Sequence, residues 1–154
     1  MKKIALFPGS FDPFTVGHES IVKRALPLFD TIIIGIGVNE AKHDFFPLLS
    51  RVEWVKSVFA EDPSVQVTTY SGLTIEFCKK IGAQYLIRGL RTSADFEFER
   101  AVGQVNKVLD NRVETIFLLT RPEHSFISSS IVRDVYKNGG DIRSFIPVAM
   151  HGKL

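Results

Sequence analysis

A chain of 154 residues with 45% hydrophobic and 23% charged residues has the length and balance of one ordinary folded domain, which excludes disorder and a coiled coil. A net charge of +2 lacks the basic excess of a nucleic-acid protein, so any anion has to be met by a few placed cations. The single cysteine, Cys78, excludes an intrachain disulfide and a cysteine-rich zinc site, and points to a reducing compartment, the cytoplasm by default.

Ile4 to Phe7 is a short apolar run stopped by Pro8-Gly9, as expected of a buried parallel strand and too short for a signal sequence. Ile21, Val22, Ala25 and Phe29 then recur at helical spacing, and Pro27 predicts a kink or an early end. Thr31 to Val38 reads as a central strand, Arg51 to Phe59 as a helix buried through Val52, Val55 and Phe59, and Val65 to Tyr70 as a third strand. A helix over Leu73 to Ile81 turns Leu73, Phe77, Cys78 and Ile81 inward, with Gly82 placed for a left-handed cap.

Tyr85 to Ile87 is a fourth strand, followed by a long helix capped by Ser93 or Asp95, with Phe98, Val102, Val105 and Leu109 on one side. Thr115 to Leu119 is the fifth strand, Ser128 to Ser130 open another helix, and Gly139-Gly140 end it. The tail after Pro147 is too short to assign. No apolar run approaches the roughly 20 residues that span a bilayer. Strands alternating with helices predict an α/β fold, a doubly wound, five-stranded parallel sheet with helices on both faces, in a single domain over residues 1–154. Ligands then belong in the crevice at the carboxyl ends of the strands.

Four polar clusters fall in loops at those ends. Gly9 to His18 joins close backbone approach, the Ser10 hydroxyl and His18 at a helix start, where unpaired N–H groups attract phosphate. A capping turn with a surface histidine explains this segment equally well. Lys42, alone in its loop, reads as a solvated lysine. Arg88-Gly89-Leu90-Arg91 can reach different oxygens of phosphate groups. Ser128 to Ser130 supply more hydroxyls than capping requires, and together with His18 and Arg91 they can surround a triphosphate. No P-loop, no Gly-x-Gly-x-x-Gly after the first strand and no Gly-x-Ser-x-Gly elbow occur, so P-loop kinases, dehydrogenases and serine hydrolases lose support.

Thr15-Val16-Gly17-His18 and Ile127 to Arg133 resemble the two motifs of the nucleotidyltransferase superfamily, with its Rossmann-like fold. Pro8 to Pro13, Arg88 to Arg91 and Asp95 to Glu99 resemble, more narrowly, the bacterial phosphopantetheine adenylyltransferases, with no gap needed from Lys3 to about Pro147. The resemblance implies transfer of AMP from ATP to 4′-phosphopantetheine with magnesium present, giving dephospho-coenzyme A and pyrophosphate. It also implies a homohexamer and feedback by coenzyme A.

By the same resemblance His18 stabilises the transition state, while Ser10, Lys42 and Arg88 hold the acceptor phosphate and Thr74 borders the pantetheine arm. Lys42 and Arg91 join His18 in the catalytic set. Ser10, Phe11, His18, Gly89, Leu90, Arg91, Glu99 and the run His124, Ser125, Phe126, Ile127, Ser128, Ser129 and Ser130 are implied for ATP, with Glu99 toward the ribose or adenosine. Two alternatives stay open: adenylylation of nicotinate or nicotinamide mononucleotide, and a non-catalytic nucleotide sensor on the same fold.

Overall fold

Five strands, Ile4–Gly9 (β1), Thr31–Gly37 (β2), Val65–Tyr70 (β3), Tyr85–Leu90 (β4) and Glu114–Leu119 (β5), pair all-parallel in the order β3-β2-β1-β4-β5. The computed structural model describes residues 1–154. The helices are Val16–Ala25 (α1), Leu48–Val58 (α2), Thr74–Ile81 (α3), Ser93–Leu109 (α4) and Ser129–Lys137 (α5). The sheet is therefore the expected Rossmann-like one, with strand order reversing on either side of β1.

Strand alternation divides the interior into two layers. Ala5 and Phe7 of β1 face a core shared with Ile32, Ile34 and Ile36 of β2 and with apolar residues of α1, α2 and α5. Leu6 faces the other way, onto Ile33, Leu86 and the α3 residues Ile75 and Cys78. Each isoleucine of β2 that is wholly removed from water contributes about 1.5–3 kcal/mol.

Several boundaries differ from the sequence reading, each for a local reason. Helix α1 stops at Ala25, and Pro27 occupies a 3₁₀ turn over Leu26–Leu28, because proline cannot donate the next helical hydrogen bond. Helix α2 begins at Leu48 rather than Arg51, directly after the extended Pro47. Gly82 takes the left-handed conformation, φ 70°, and ends α3 as expected. Leu73, expected inward, precedes the first turn of α3 and is 61% exposed.

Helix α4 is capped by Thr92, not by Ser93 or Asp95: the Thr92 hydroxyl accepts from the Asp95 N–H at 3.1 Å, which frees the Asp95 carboxylate for another partner. The expected apolar side of α4 is not covered by this chain. Phe98, Val102, Val105 and Leu109 are all exposed, since α4 leans on the sheet through Phe96, whose ring meets that of Phe117, and through Gly103 beside Thr115. The tail is not loose either: a 3₁₀ turn over Val148–Met150 lies against α2 and buries Met150 completely.

Candidate active site

Strand β1 pairs with β2 from Ile4 to Gly9 but with β4 only at Ala5–Tyr85 and Leu6–Leu86. At the carboxyl side of this seam, where strand order reverses, an open parallel sheet leaves a crevice for ligands. A cleft of about 380 Å³ occupies that place, lined by residues from the loops after β1, β2, β4 and β5 and by the start of α5.

The loop after β1 is shaped around aromatic rings. Phe11 adopts φ 47°, a left-handed conformation that a residue with a side chain takes only under constraint. Its ring lies over Gly9, where an added Cβ would come within 2.8 Å of it, so the strand end must be glycine. Phe7, Phe11 and Phe14 enclose the imidazole of His18 at ring separations of 6.2, 5.0 and 5.2 Å.

His18 is at once a helix cap and a cleft residue. The Thr15 hydroxyl accepts from the His18 N–H at 3.3 Å, and the Thr15 N–H donates to His18 Nδ1 at 3.0 Å. This is a capping box with histidine in the place usually filled by Glu or Gln. Because Nδ1 accepts, the ring proton resides on Nε2, leaving that nitrogen as a donor. Burial, reinforced by the nearby Arg91 and Arg88 cations, lowers the His18 pKa from 6.5 to about 3. The cleft therefore holds a neutral imidazole with a fixed N–H.

The imidazole carbon shifts of His18 are accordingly expected to stay at neutral values by NMR from pH 8 down to pH 5. An inflection near 6.5 would contradict the site described. The linkage has a sign: the folded pKa lies below the unfolded one, so the stabilisation is fully present above about pH 6.5 and is lost as pH falls toward 3.

Strand β4 runs on to Leu90 rather than ending at Ile87, so Arg88 lies among its last paired residues and Arg91 just beyond it, each fixed by a carboxylate of α4. Arg88 donates from Nε and Nη2 to the two oxygens of Glu99 at 2.8 and 2.6 Å, and from Nη1 to the Pro8 carbonyl at 2.9 Å. Arg91 donates from Nε to Asp95 at 3.1 Å and from Nη1 to the Ile127 carbonyl at 3.4 Å. Burial raises the Asp95 pKa, but the Arg91 hydrogen bonds and charge outweigh it and hold the carboxyl below its usual value.

At α5, Ser128 caps through Ile131 N–H at 3.2 Å, Ser129 donates to the Pro13 carbonyl at 2.8 Å, and Ser130 Oγ accepts from Arg133 at 3.1 Å. The surplus of hydroxyls expected from the sequence is thus mostly used within the protein. What remains for an anion is the Ser130 O–H and the N–H groups of Ser129 and Ser130, which have no acceptor inside the helix.

Of the residues singled out from the sequence, Ser10, Phe11, His18, Lys42, Arg88, Gly89, Arg91, Glu99, His124 and Ile127 to Ser130 line this cleft. Leu90 does not, because its side chain is in the core, and Phe126 and Ser125 lie outside it. The Phe11 ring is likewise buried, so that residue offers its backbone. Thr74 lines an adjoining cleft of about 260 Å³ that shares Arg88 and Glu99 with the first, and its hydroxyl is 2.9 Å from that of Tyr70. Arg133, the last residue of the second motif, also lines the cleft and donates to the Asp12 carbonyl at 2.8 Å. A basic residue one turn into a serine-capped helix was the available signal.

Comparison with known proteins narrows the identity. The cytidylyltransferase-like family model matches residues 6–135. A phosphopantetheine adenylyltransferase of Flavobacterium psychrophilum is 56% identical over 97% of this chain and 98% of its own length. Those of Cytophaga hutchinsonii and Phocaeicola vulgatus are 50% and 49% identical, covering 96% and 95% of this chain and 98% and 96% of theirs. A solved structure described as a nicotinate-nucleotide adenylyltransferase of Vibrio parahaemolyticus superposes with a TM-score of 0.72 over 97% of this chain and 96% of that one, at 23% identity, a likeness of fold. With the motifs in register and relatives matching end to end, the chain belongs to the phosphopantetheine adenylyltransferase family.

Proposed function

We infer that the protein transfers the adenylyl group of ATP to 4′-phosphopantetheine. A phosphate oxygen of the acceptor attacks the α-phosphorus in line, the bond from that phosphorus to the α,β-bridging oxygen breaks, and dephospho-coenzyme A and pyrophosphate leave. The observation that carries this reading is a neutral His18, its proton locked on Nε2, in one cleft with Arg88 and Arg91. Such a group donates to an α-phosphate oxygen as charge develops and gives up no proton. Phosphoryl transfer draws on position and electrostatics, so no protein nucleophile is required.

Ser10, Lys42 and Arg88 hold the acceptor phosphate, and the adjoining cleft takes the pantetheine arm between Thr74 and the apolar Leu73, Phe98 and Val102. Arg91 and the start of α5 receive the triphosphate. The fold gathers no cluster of three or more His, Cys, Asp or Glu side chains, and the cleft carboxylates Asp95 and Glu99 face arginines. Magnesium fits this residue set as part of the nucleotide, held by phosphate oxygens and water.

The homohexamer belongs to the same reading. Val105 and Val108 of α4 are 58% and 87% exposed, an apolar surface of the kind covered by another copy, and light scattering measures the mass. Coenzyme A, which carries the same pantetheine arm, competes in the cleft and restrains the reaction. The setting is the cytoplasm. No helix is long and apolar enough to cross a membrane.

Release of pyrophosphate from ATP with phosphopantetheine, measured beside nicotinate mononucleotide, tests the reaction. Turnover with the nucleotide acceptor alone, or ATP binding without turnover, would sink it. Lys42→Ala and Arg88→Ala are expected to raise KM for phosphopantetheine roughly 10- to 100-fold each, the loss of charge-assisted contacts, with KM for ATP little changed. An effect confined to ATP reverses the assignment.

A further inference from the structure

Arg88 and Arg91 are held in the same way twice over. In each, Nε and Nη2 meet one carboxylate of α4, Glu99 for Arg88 and Asp95 for Arg91, at 2.6–3.4 Å. In each, Nη1 donates to a main-chain carbonyl, Pro8 for Arg88 and Ile127 for Arg91. Asp95 and Glu99 are one helical turn apart and so share a face of α4. Asp95 accepts in addition from the Arg91 N–H at 3.0 Å, which ties the carboxylate to the strand end as well as to the guanidinium.

A guanidinium held along its Nε–Nη2 edge and again at Nη1 cannot rotate about its long stem. Its plane is set, and one N–H on each of Nη1 and Nη2 remains unclaimed. Those are the donors that a phosphate can take side by side. Glu99 is bonded through both oxygens to Arg88, and the pair stands where the two cavities meet, lining the main cleft and, with Thr74, the adjoining one. Asp95 lines the main cleft, with Arg91 and the start of α5, and not the adjoining cavity.

We propose that Asp95 and Glu99 are positioning residues assigned one to each substrate, Glu99 orienting Arg88 for the acceptor phosphate and Asp95 orienting Arg91 for the triphosphate. Glu99 thus serves the acceptor through Arg88. This division rests on the acceptor and nucleotide sides assigned under the proposed function.

The test is steady-state kinetics of Glu99→Gln and Asp95→Asn with each substrate varied in turn, alongside Arg88→Ala and thermal melting of every variant. Glutamine keeps the length of Glu99 but loses the charge and one of its two acceptors for Arg88. The expected result is a rise of roughly tenfold in KM for phosphopantetheine in Glu99→Gln with KM for ATP unchanged, and the converse in Asp95→Asn, with melting temperatures close to that of the parent.

A rise in KM for ATP alone in Glu99→Gln overturns the proposal and returns Glu99 to the nucleotide. A fall in KM for phosphopantetheine overturns it too, since the carboxylate would then compete with the phosphate. Equal changes in both constants with a lowered melting temperature mean a structural role only, and no change in either constant removes any role. If Arg88→Ala itself leaves the acceptor KM intact, the fault lies in the assignment of Arg88 and the proposal falls with it. If Arg88→Ala behaves as expected and Glu99→Gln does not, the proposal alone fails.

Discussion

Replacing His18 by alanine is expected to lower kcat by about 10²–10³-fold, the 2.7–4 kcal/mol attributed to one preorganised donor at a developing oxyanion, with far less change in affinity for ATP. The side chain has a second task that complicates the variant. Nδ1 accepts from the Thr15 N–H at 3.0 Å, so alanine leaves that N–H unpaired in a largely buried loop, at a cost of about 1–3 kcal/mol of stability. His18→Gln separates the two effects. Glutamine at this position can rebuild the capping box through its carboxamide oxygen, but its remaining donor, the NH2 group, is not fixed by a rigid ring as the Nε2 N–H is. Melting temperature should therefore recover in His18→Gln while kcat stays low. If kcat recovers with stability, the histidine acts only as a cap; if kcat and ATP affinity fall together, it acts only in binding.

The largest loss of stability is expected at Arg51. Its side chain is 1% exposed, an unusual state for a cation, and its contacts explain why it is tolerated. Nε donates to the Phe46 carbonyl at 3.1 Å and Nη1 to the Ser10 carbonyl at 2.6 Å. Nη2 meets Asp44 as an ion pair without the alignment of a hydrogen bond. Asp12, with Oδ1 4.0 Å from Arg51 Nε, accepts from the N–H groups of Phe45 and Phe46 at 2.8 and 2.9 Å. The loop bearing Ser10 and the loop bearing Lys42 are thus fastened to one guanidinium. Arg51→Met removes the cation, keeps much of the volume, and leaves Asp44 and two carbonyls without their partner, while Asp12 keeps its two N–H donors.

Breaking such a pair from one side costs about 3 kcal/mol at the lower end of the usual range, the lower end because Asp44 is half exposed. For a chain of this size that is a melting temperature lower by roughly 10 °C. Differential scanning calorimetry measures it, and a loss under about 2 °C would show that the network contributes little. Phosphopantetheine KM should rise in the same variant, because Ser10 and Lys42 lose their common anchor.

The parts of the molecule that were readable in advance are those governed by short-range periodicity. The apolar runs at Ile4 and Thr31 became central strands because such runs suit a sheet covered on both sides, while Val65–Tyr70, with Gln66 and Thr69 exposed, became an edge strand. Gly82 capped α3 because only a left-handed residue closes that turn. The placement of His18, Arg88 and Ser130 around one cleft followed from their positions at or beyond the carboxyl ends of strands of a parallel sheet.

What was not readable depends on partners distant in the chain. Arg51 looks like an ordinary first-turn residue until Asp12, 39 positions earlier, is brought beside it. Glu99 reads as an exposed helix carboxylate or a ribose contact, because nothing local announces that Arg88 takes both its oxygens. The stripe of Phe98, Val102, Val105 and Leu109 has the spacing of a buried face and is nonetheless exposed, since periodicity reports that a face is apolar but not what covers it. Met150 lies in a stretch without periodicity and is drawn into the core by α2 and its neighbours.

The short seam between β1 and β4 has a consequence for cohesion. Two sets of strands, β1 to β3 and β4 to β5, are stitched through only two aligned positions, and the cleft lies over the place where that stitching stops. A nucleotide seated there touches residues from both sets at once, so its binding energy is also glue between the halves of the sheet. The backbone amides flanking the seam are then the ones whose exchange with solvent water responds most to occupancy. Occupancy is therefore expected to tighten the whole sheet along the one line where its own pairing is shortest.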